Sequence, residues 1–212
     1  MQTLAETALV QQARLCFTRY EVAHWLDGTP DRQSAIIKRA IASGEVLHLR
    51  RGLYCLAPRL QQHRPDPLVL AQRIYGPSYI SFETALSFHG WIPEAVNTIT
   101  STSLMRSREF ATPLGQFSFI RVPQRVLYVE VLRIENQQRQ AILIASPLKA
   151  LADYVYAYKK NWCSIEPIIE SLRVDERELQ SIGADSINEL LENSSAPRVR
   201  RFLRGLRKDL NK

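Results

Sequence analysis

The sequence predicts an α+β protein in two parts, a small helical domain closed by a β-hairpin and a larger mixed domain with a helical C-terminal tail. Three observations predict it. A helix-start signature and a Gly-Thr-Pro turn fall within the first thirty residues, ahead of a second helical pattern. The stretch EVLHLRRGLYCL at 45–56 has two apolar runs around Arg51-Gly52 and reads as a hairpin. From Ile92 to Ser146 β-branched and aromatic runs replace helical periodicity, and helices resume after Ser146-Pro147.

In chain order, residues 3–15 make a first helix through Leu4, Ala8 and Leu15. The second begins at Thr18, where Thr18 and Glu21 have capping-box spacing and Phe17 with Val22 forms the hydrophobic staple around it. It runs to about Leu26 and ends at Asp27-Gly28-Thr29-Pro30. A third helix covers about Asp31 to Ala42 and stops at Ser43-Gly44. Ile36, Ile37, Ala40 and Ile41 share one of its sides. At about 100° per residue the opposite side collects Arg32, Ala35, Lys38, Arg39 and Ala42. In the hairpin, Arg51 and Gly52 as the turn residues pair Leu49 with Tyr54 and Leu47 with Leu56, on one face.

Three short helices followed at once by a hairpin is the order of a winged helix-turn-helix, assigned to residues 1–58. Its third helix enters the major groove, where Arg32, Lys38 and Arg39 suit guanine edges and phosphates, Gln33 suits adenine, and Ala35 permits close approach. Arg50 and Arg51 form the wing tip, on the backbone or in the minor groove. The competing account is a helical bundle with a solvated face. Capping box, turn, cationic helix and cationic hairpin in that order favour DNA.

Residues 59–65 read as a linker and 66–212 as the second domain, strand-rich to about 146 and helical over 147–212. Asp66-Pro67 caps a helix through Tyr75, and residues 79–91 give a short extended lead-in and a helix ended by Gly90. AVNTITST, GQFSFIRV, VLYVEVLRI and AILIAS are the strand candidates. Ser146 caps a helix with the stripe Leu148, Leu151, Ala152 and Val155. The last helix, Pro197 to about Leu210, has the stripe Val199, Phe202, Leu203, Leu206 and Leu210. Arg201, Arg204 and Lys208 project opposite as a candidate second basic surface, which either binds nucleic acid or is solvated.

The net charge of +7 favours polyanionic partners, and its distribution is uneven. Residues 161–196 are net −6 and residues 197–212 net +6, so part of the terminal basicity is neutralised internally. No apolar run approaches the roughly 20 residues needed to cross a bilayer, and MQTLAETALVQQARL does not read as a signal peptide. A soluble cytoplasmic protein is expected, with its three cysteines (Cys16, Cys55, Cys163) buried or inert and in no disulfide framework or zinc site.

No enzyme is expected. Ser146-x-x-Lys149 has the nucleophile spacing of penicillin-binding enzymes, but a helix cap beside Pro147 explains Ser146 better. Glu83 and His89 sit six residues apart on one helix and do not face each other, and the four histidines show no metal-ligand spacing. With no Walker loop, GxGxxG or GxSxG, neither catalytic residues, metal nor cofactor are assigned.

The blocks LRRGLYCL, YISFETALSFHGWIPEAV, TSTSLMRSREFATPLGQFSF and IASPLKALADYVY together resemble the antitoxin family of type IV abortive-infection (AbiE-type) toxin–antitoxin systems, over about residues 15–160. The resemblance implies a winged-helix repressor of its own operon that binds double-stranded operator DNA at inverted repeats. It also implies a C-terminal domain required for antitoxicity. The functional partner is then a nucleotidyltransferase-like toxin, without a stable complex. The block Ser81–Gly90 reads as a structural signature, in which Glu83 and His89 are the polar members to test. Two other readings stay open: a nucleic-acid-acting enzyme with a winged-helix targeting module, and an orphan winged-helix transcription factor. Oligomeric state is open too.

Overall fold

The computed structural model describes residues 3–10, 15–61, 63–94 and 96–211. Among them the chain is mixed α+β, with ten α-helices and nine strands in two sheets. It divides into two compact units, Met1–Leu70 with Phe110–Gly115, and Ala71–Glu109 with Gln116–Lys212.

The first unit opens with α1 (Leu4–Val10), β1 (Cys16–Thr18) and α2 (Arg19–Trp25), followed by α3 (Pro30–Ala42), β2 (Val46–Arg50) and β3 (Leu53–Leu56). Of the helix expected over 3–15, Leu4–Val10 is helical and Leu15 is not. Residues 11–14 lie outside the described residues, and the Leu15 carbonyl accepts from Leu56 N at 2.9 Å as the chain turns into β1. The capping box is formed. Thr18 Oγ1 accepts from Glu21 N at 3.2 Å, and Glu21 Oε2 accepts from Thr18 N at 2.6 Å. Phe17 and Val22 are fully buried on either side of it, each contributing roughly 1.5–3 kcal/mol. They join Leu4, Ile37, Ala40, Val46 and Leu56 in the core of this unit.

The three strands form an antiparallel sheet in the order β1-β3-β2, which leaves β3 central and buried throughout. The hairpin turns at Arg51-Gly52 as expected, with Gly52 at φ 78° and Arg50 opposite Leu53. Beyond the turn the register differs from the expected one. Leu49 is an extra residue between Arg50 and His48, so Tyr54 faces His48 and Leu56 faces Val46. Strict alternation would put Val46 and Leu49 on opposite faces, and one bulged residue lets both be buried. The stretch expected as a linker opens with a 3₁₀ turn, Pro58–Leu60. From it Arg59 donates to the Gly44 carbonyl at 2.6 Å and the Ser43 carbonyl at 3.3 Å, satisfying the end of α3.

The division between the units falls within α4 (Pro67–Ile74). The second unit holds β4 (Ser78–Ile80), α5 (Phe82–Phe88), β5 (Thr98–Ser103), β7 (Gly115–Arg121), β8 (Val131–Glu135) and β9 (Ala141–Ala145). With β6 (Arg108–Thr112) these strands form one mixed sheet, ordered β6-β7-β5-β4-β9-β8. The expected lead-in before α5 is a central, fully buried strand, β4, antiparallel to β5 and parallel to β9. The run VLYVEVLRI yields a strand only over its second half. Helices α6 (Pro147–Ala157), α7 (Glu166–Leu172), α8 (Glu176–Gln180), α9 (Ala184–Asn193) and α10 (Pro197–Asp209) complete it. α5 packs on β5 and α6, α6 on α10, and α10 on α9. Both apolar stripes read from the sequence, on α6 and α10, are buried. Among the described residues no helix is long and apolar enough to cross a membrane.

Candidate nucleic-acid interface

α3 begins with Thr29 as N-cap and Pro30 at its first position, the Thr29 hydroxyl accepting from Arg32 N at 3.3 Å. Its buried side is Ile37 and Ala40, and Arg32, Ala35, Lys38, Arg39 and Ala42 are all exposed on the other. Among the described residues Arg32, Lys38 and Arg39 have no carboxylate partner. Helical geometry separates these cations into two flanks. Arg32 and Arg39 share one, lining a recess of about 720 Å³ with Trp25 and Ile36, and the Arg32 stem lies over Gly28. Lys38 stands on the other flank, and between the flanks the small Ala35 and Ala42 leave the helix surface low.

Gln33 has a different task from the one its residue type suggested. Its Nε2 donates to the Leu26 carbonyl at 2.9 Å and reaches the Ala23 and Gly28 carbonyls at 3.4 Å each. The side chain lies half-buried in the α2–α3 turn, which it stitches shut.

At the hairpin tip the two arginines diverge. Arg50 is half-buried, and its Nη1 donates to the Arg51 carbonyl at 3.0 Å. Arg51 is exposed and lines an open recess of about 490 Å³ with Arg19, His48, Gly52 and Tyr54. Sequence reading missed Arg19 and His48. Arg19 N donates to the Gly52 carbonyl at 3.0 Å, which pins the start of α2 to the hairpin turn. Its guanidinium donates to Ser34 Oγ at 2.8 Å and so ties the recess to α3. The signal was present as a cation just after the cap, but nothing local says that β1 pairs with β3. Tyr20, 74% exposed, packs against His24 with ring centroids 4.4 Å apart and the planes tilted by 49° on the outer side of α2.

In the second unit Arg201, Arg204 and Lys208 are exposed on α10, and among the described residues none has a carboxylate partner. The helix is held by Gly205 against the backbone of Cys163 and by Asp209, whose Oδ2 accepts from Ile165 N at 3.0 Å. Lys160, from the adjoining segment, sits over the rings of Tyr154 and Trp162, at 5.8 and 5.7 Å from their centroids.

The polar residues weighed for catalysis have structural tasks. Ser146 Oγ accepts from Lys149 N at 3.2 Å as helix cap and donates to Glu130 Oε2 at 2.6 Å. His89 Nε2 donates to the Ala145 carbonyl at 2.9 Å, and Glu83 accepts from the Tyr158 hydroxyl at 3.2 Å. Burial, with the Glu83 carboxylate beside it, pushes the Tyr158 phenol well above its ordinary range. The blocks around Ser81, Thr102 and Asp153 meet in one buried network. Asp153 Oδ2 accepts from Tyr79 OH and Ser81 Oγ at 2.8 Å each and from Thr102 Oγ1 at 3.0 Å, and its Oδ1 accepts from Lys149 Nζ at 2.7 Å. The void beside it, with room for about one water, is too small for a substrate. Among the described residues no group of three or more His, Cys, Asp or Glu is placed to hold a metal ion. No family model matches the sequence, and no curated protein is significantly similar to it.

Proposed function

We propose that the chain is a DNA-binding autorepressor with a winged helix-turn-helix in its first unit, and the antitoxin of a type IV toxin–antitoxin pair. One observation carries the DNA-binding reading. The outer side of α3 presents Arg32, Lys38 and Arg39 around two alanines, while Arg19 ties α3 to a hairpin tip where Arg51 projects. A duplex takes a helix of this kind in its major groove, with small residues giving access to base edges and cations meeting phosphates on both flanks. The order α1-β1-α2-α3-β2-β3, with a three-stranded antiparallel sheet ordered β1-β3-β2, supports the winged-helix assignment. Gln33 is left out of base reading, since its amide nitrogen is committed to the turn. Arg50 then supports the tip while Arg19 and Arg51 meet the backbone.

The antitoxin part rests on the four sequence blocks named above. The partner it implies is a nucleotidyltransferase-like toxin encoded by a neighbouring gene. The experiment is direct: binding of the full chain to the promoter duplex of its own operon, against a random duplex, with Lys38→Ala and Arg39→Ala as variants. Loss of the preference in both variants supports the reading, and equal binding to both duplexes by the unmodified chain overturns it. Growth rescue on co-expression with the adjacent gene product tests the antitoxin part separately.

A further inference from the structure

Two cysteines far apart in the sequence face each other in the first unit. Cys16 on β1 and Cys55 on β3 are direct register partners, both buried and both reduced. Antiparallel partners alternate between pairs that exchange backbone hydrogen bonds and pairs that do not. Along this ladder Leu56 N donates to the Leu15 carbonyl at 2.9 Å and Arg19 N to the Gly52 carbonyl at 3.0 Å. Those two pairs are therefore hydrogen-bonded positions, and Cys16–Cys55, one step in from the first, is not. At such a position opposing Cα atoms stand about 4.5 Å apart with both side chains on one face. Disulfides require a Cα separation of about 4.4–6.8 Å. Phe17 and Tyr54, the next pair along, point into the helical core, which places both thiols on the other face of the sheet. That face is buried too, and Gln61 Nε2 stands 3.6 Å from Cys55 Sγ.

We propose that Cys16 and Cys55 are a redox-responsive dithiol that closes to an intramolecular disulfide when the chain meets a hydroperoxide. One thiol, as its thiolate, attacks the peroxide oxygen; the O–O bond breaks, a sulfenic acid forms, and water or an alcohol leaves. The second sulfur then attacks the sulfenic sulfur, the S–S bond forms and a water is released. The two thiols lose two protons and two electrons, and the hydroperoxide takes up both. A thiol reductant reverses the step. The closed loop contains α2, α3 and β2, so oxidation staples the ends of the helix pair and hairpin.

The test uses the full chain carrying Cys163→Ser, which removes the exposed thiol and with it intermolecular crosslinking. The folded protein is treated with hydrogen peroxide, quenched, alkylated with iodoacetamide under denaturing conditions, and mapped by peptide mass spectrometry. The expected result is a crosslinked peptide pair containing Cys16 and Cys55, lighter by two hydrogens than the sum of its parts and released by dithiothreitol. Recovery of both residues as alkylated thiols, or as separate sulfinic acids, overturns the proposal.

Discussion

Lys149 Nζ donates to Asp153 Oδ1 at 2.7 Å across one turn of α6, with both side chains almost completely buried. The carboxylate takes three further hydroxyl donors, Tyr79 on β4, Ser81 at the cap of α5 and Thr102 on β5, so one residue joins a helix to the middle of the sheet. A buried ion pair carries a desolvation cost close to its Coulomb gain, and removing one partner is therefore what hurts. Asp153→Ala is expected to cost about 3–5 kcal/mol in urea unfolding, because it strands the Lys149 ammonium. The double substitution Lys149→Met with Asp153→Leu costs less than the single one. A single loss under about 1 kcal/mol would show that the network does not hold the second unit together.

The same network sets an alkaline limit. Burial and the Asp153 carboxylate push the Tyr79 phenol well above its ordinary pKa, and Tyr154 and Tyr158 are raised too, by burial and by Glu83. The folded chain keeps these protons where the unfolded chain releases them. Their contribution is therefore complete below the unfolded tyrosine pKa of about 10 and is lost as pH climbs beyond it. Stability against urea should fall from about pH 10 upward, with a shallower slope in Tyr79→Phe.

At Gly205 in α10 a β-carbon has nowhere to go. It would fall inside the van der Waals shell of the Cys163 carbonyl, which is backbone and cannot swing aside. Gly205→Ala gains up to about 1 kcal/mol of helix propensity but pushes α10 off the segment beneath it. A net destabilisation of about 3 kcal/mol or more is expected in thermal or urea unfolding. A stabilised variant would mean that α10 does not sit this close.

Gln33→Ala separates two roles. With its amide nitrogen donating into the α2–α3 turn, the substitution should cost about 0.5–1.5 kcal/mol of stability by removing the hydrogen bond to the partly buried Leu26 carbonyl. On the proposed function, the preference of the folded protein for the promoter duplex over a random one should be unchanged. Altered base preference with unchanged stability would return Gln33 to the reading face.

Much of this was legible in the sequence because it is local. The Thr18–Glu21 box, the Ser146-Pro147 start, and the successive residues of the α6 and α10 stripes are each set within one helical turn. Thr29-Pro30, read as a turn, is also the start of α3, and Ile41, read as part of its apolar side, is exposed. What stayed hidden depends on partners distant in the chain. β1 and β4 are three-residue strands whose pairing no local pattern announces. The bulge at Leu49 arises because Val46 and Leu49 must both reach apolar surroundings. Arg19 draws its position from Gly52 and Ser34, and Gln33 looked like a base-reading residue until its carbonyl partners were seen. The Asp153 network and the Cys16–Cys55 pair join residues that only the folded sheets bring together.

The central claim, a cationic α3 and hairpin tip shaped for a duplex, is tested most directly by the salt dependence of binding to the promoter duplex. Anisotropy titrations would compare the unmodified chain with an Arg19→Ala, Arg51→Ala double variant. The account predicts weaker binding on every sequence, and a log K against log salt slope flattened by about one unit per lost phosphate contact. An unchanged slope and affinity in the double variant would contradict it.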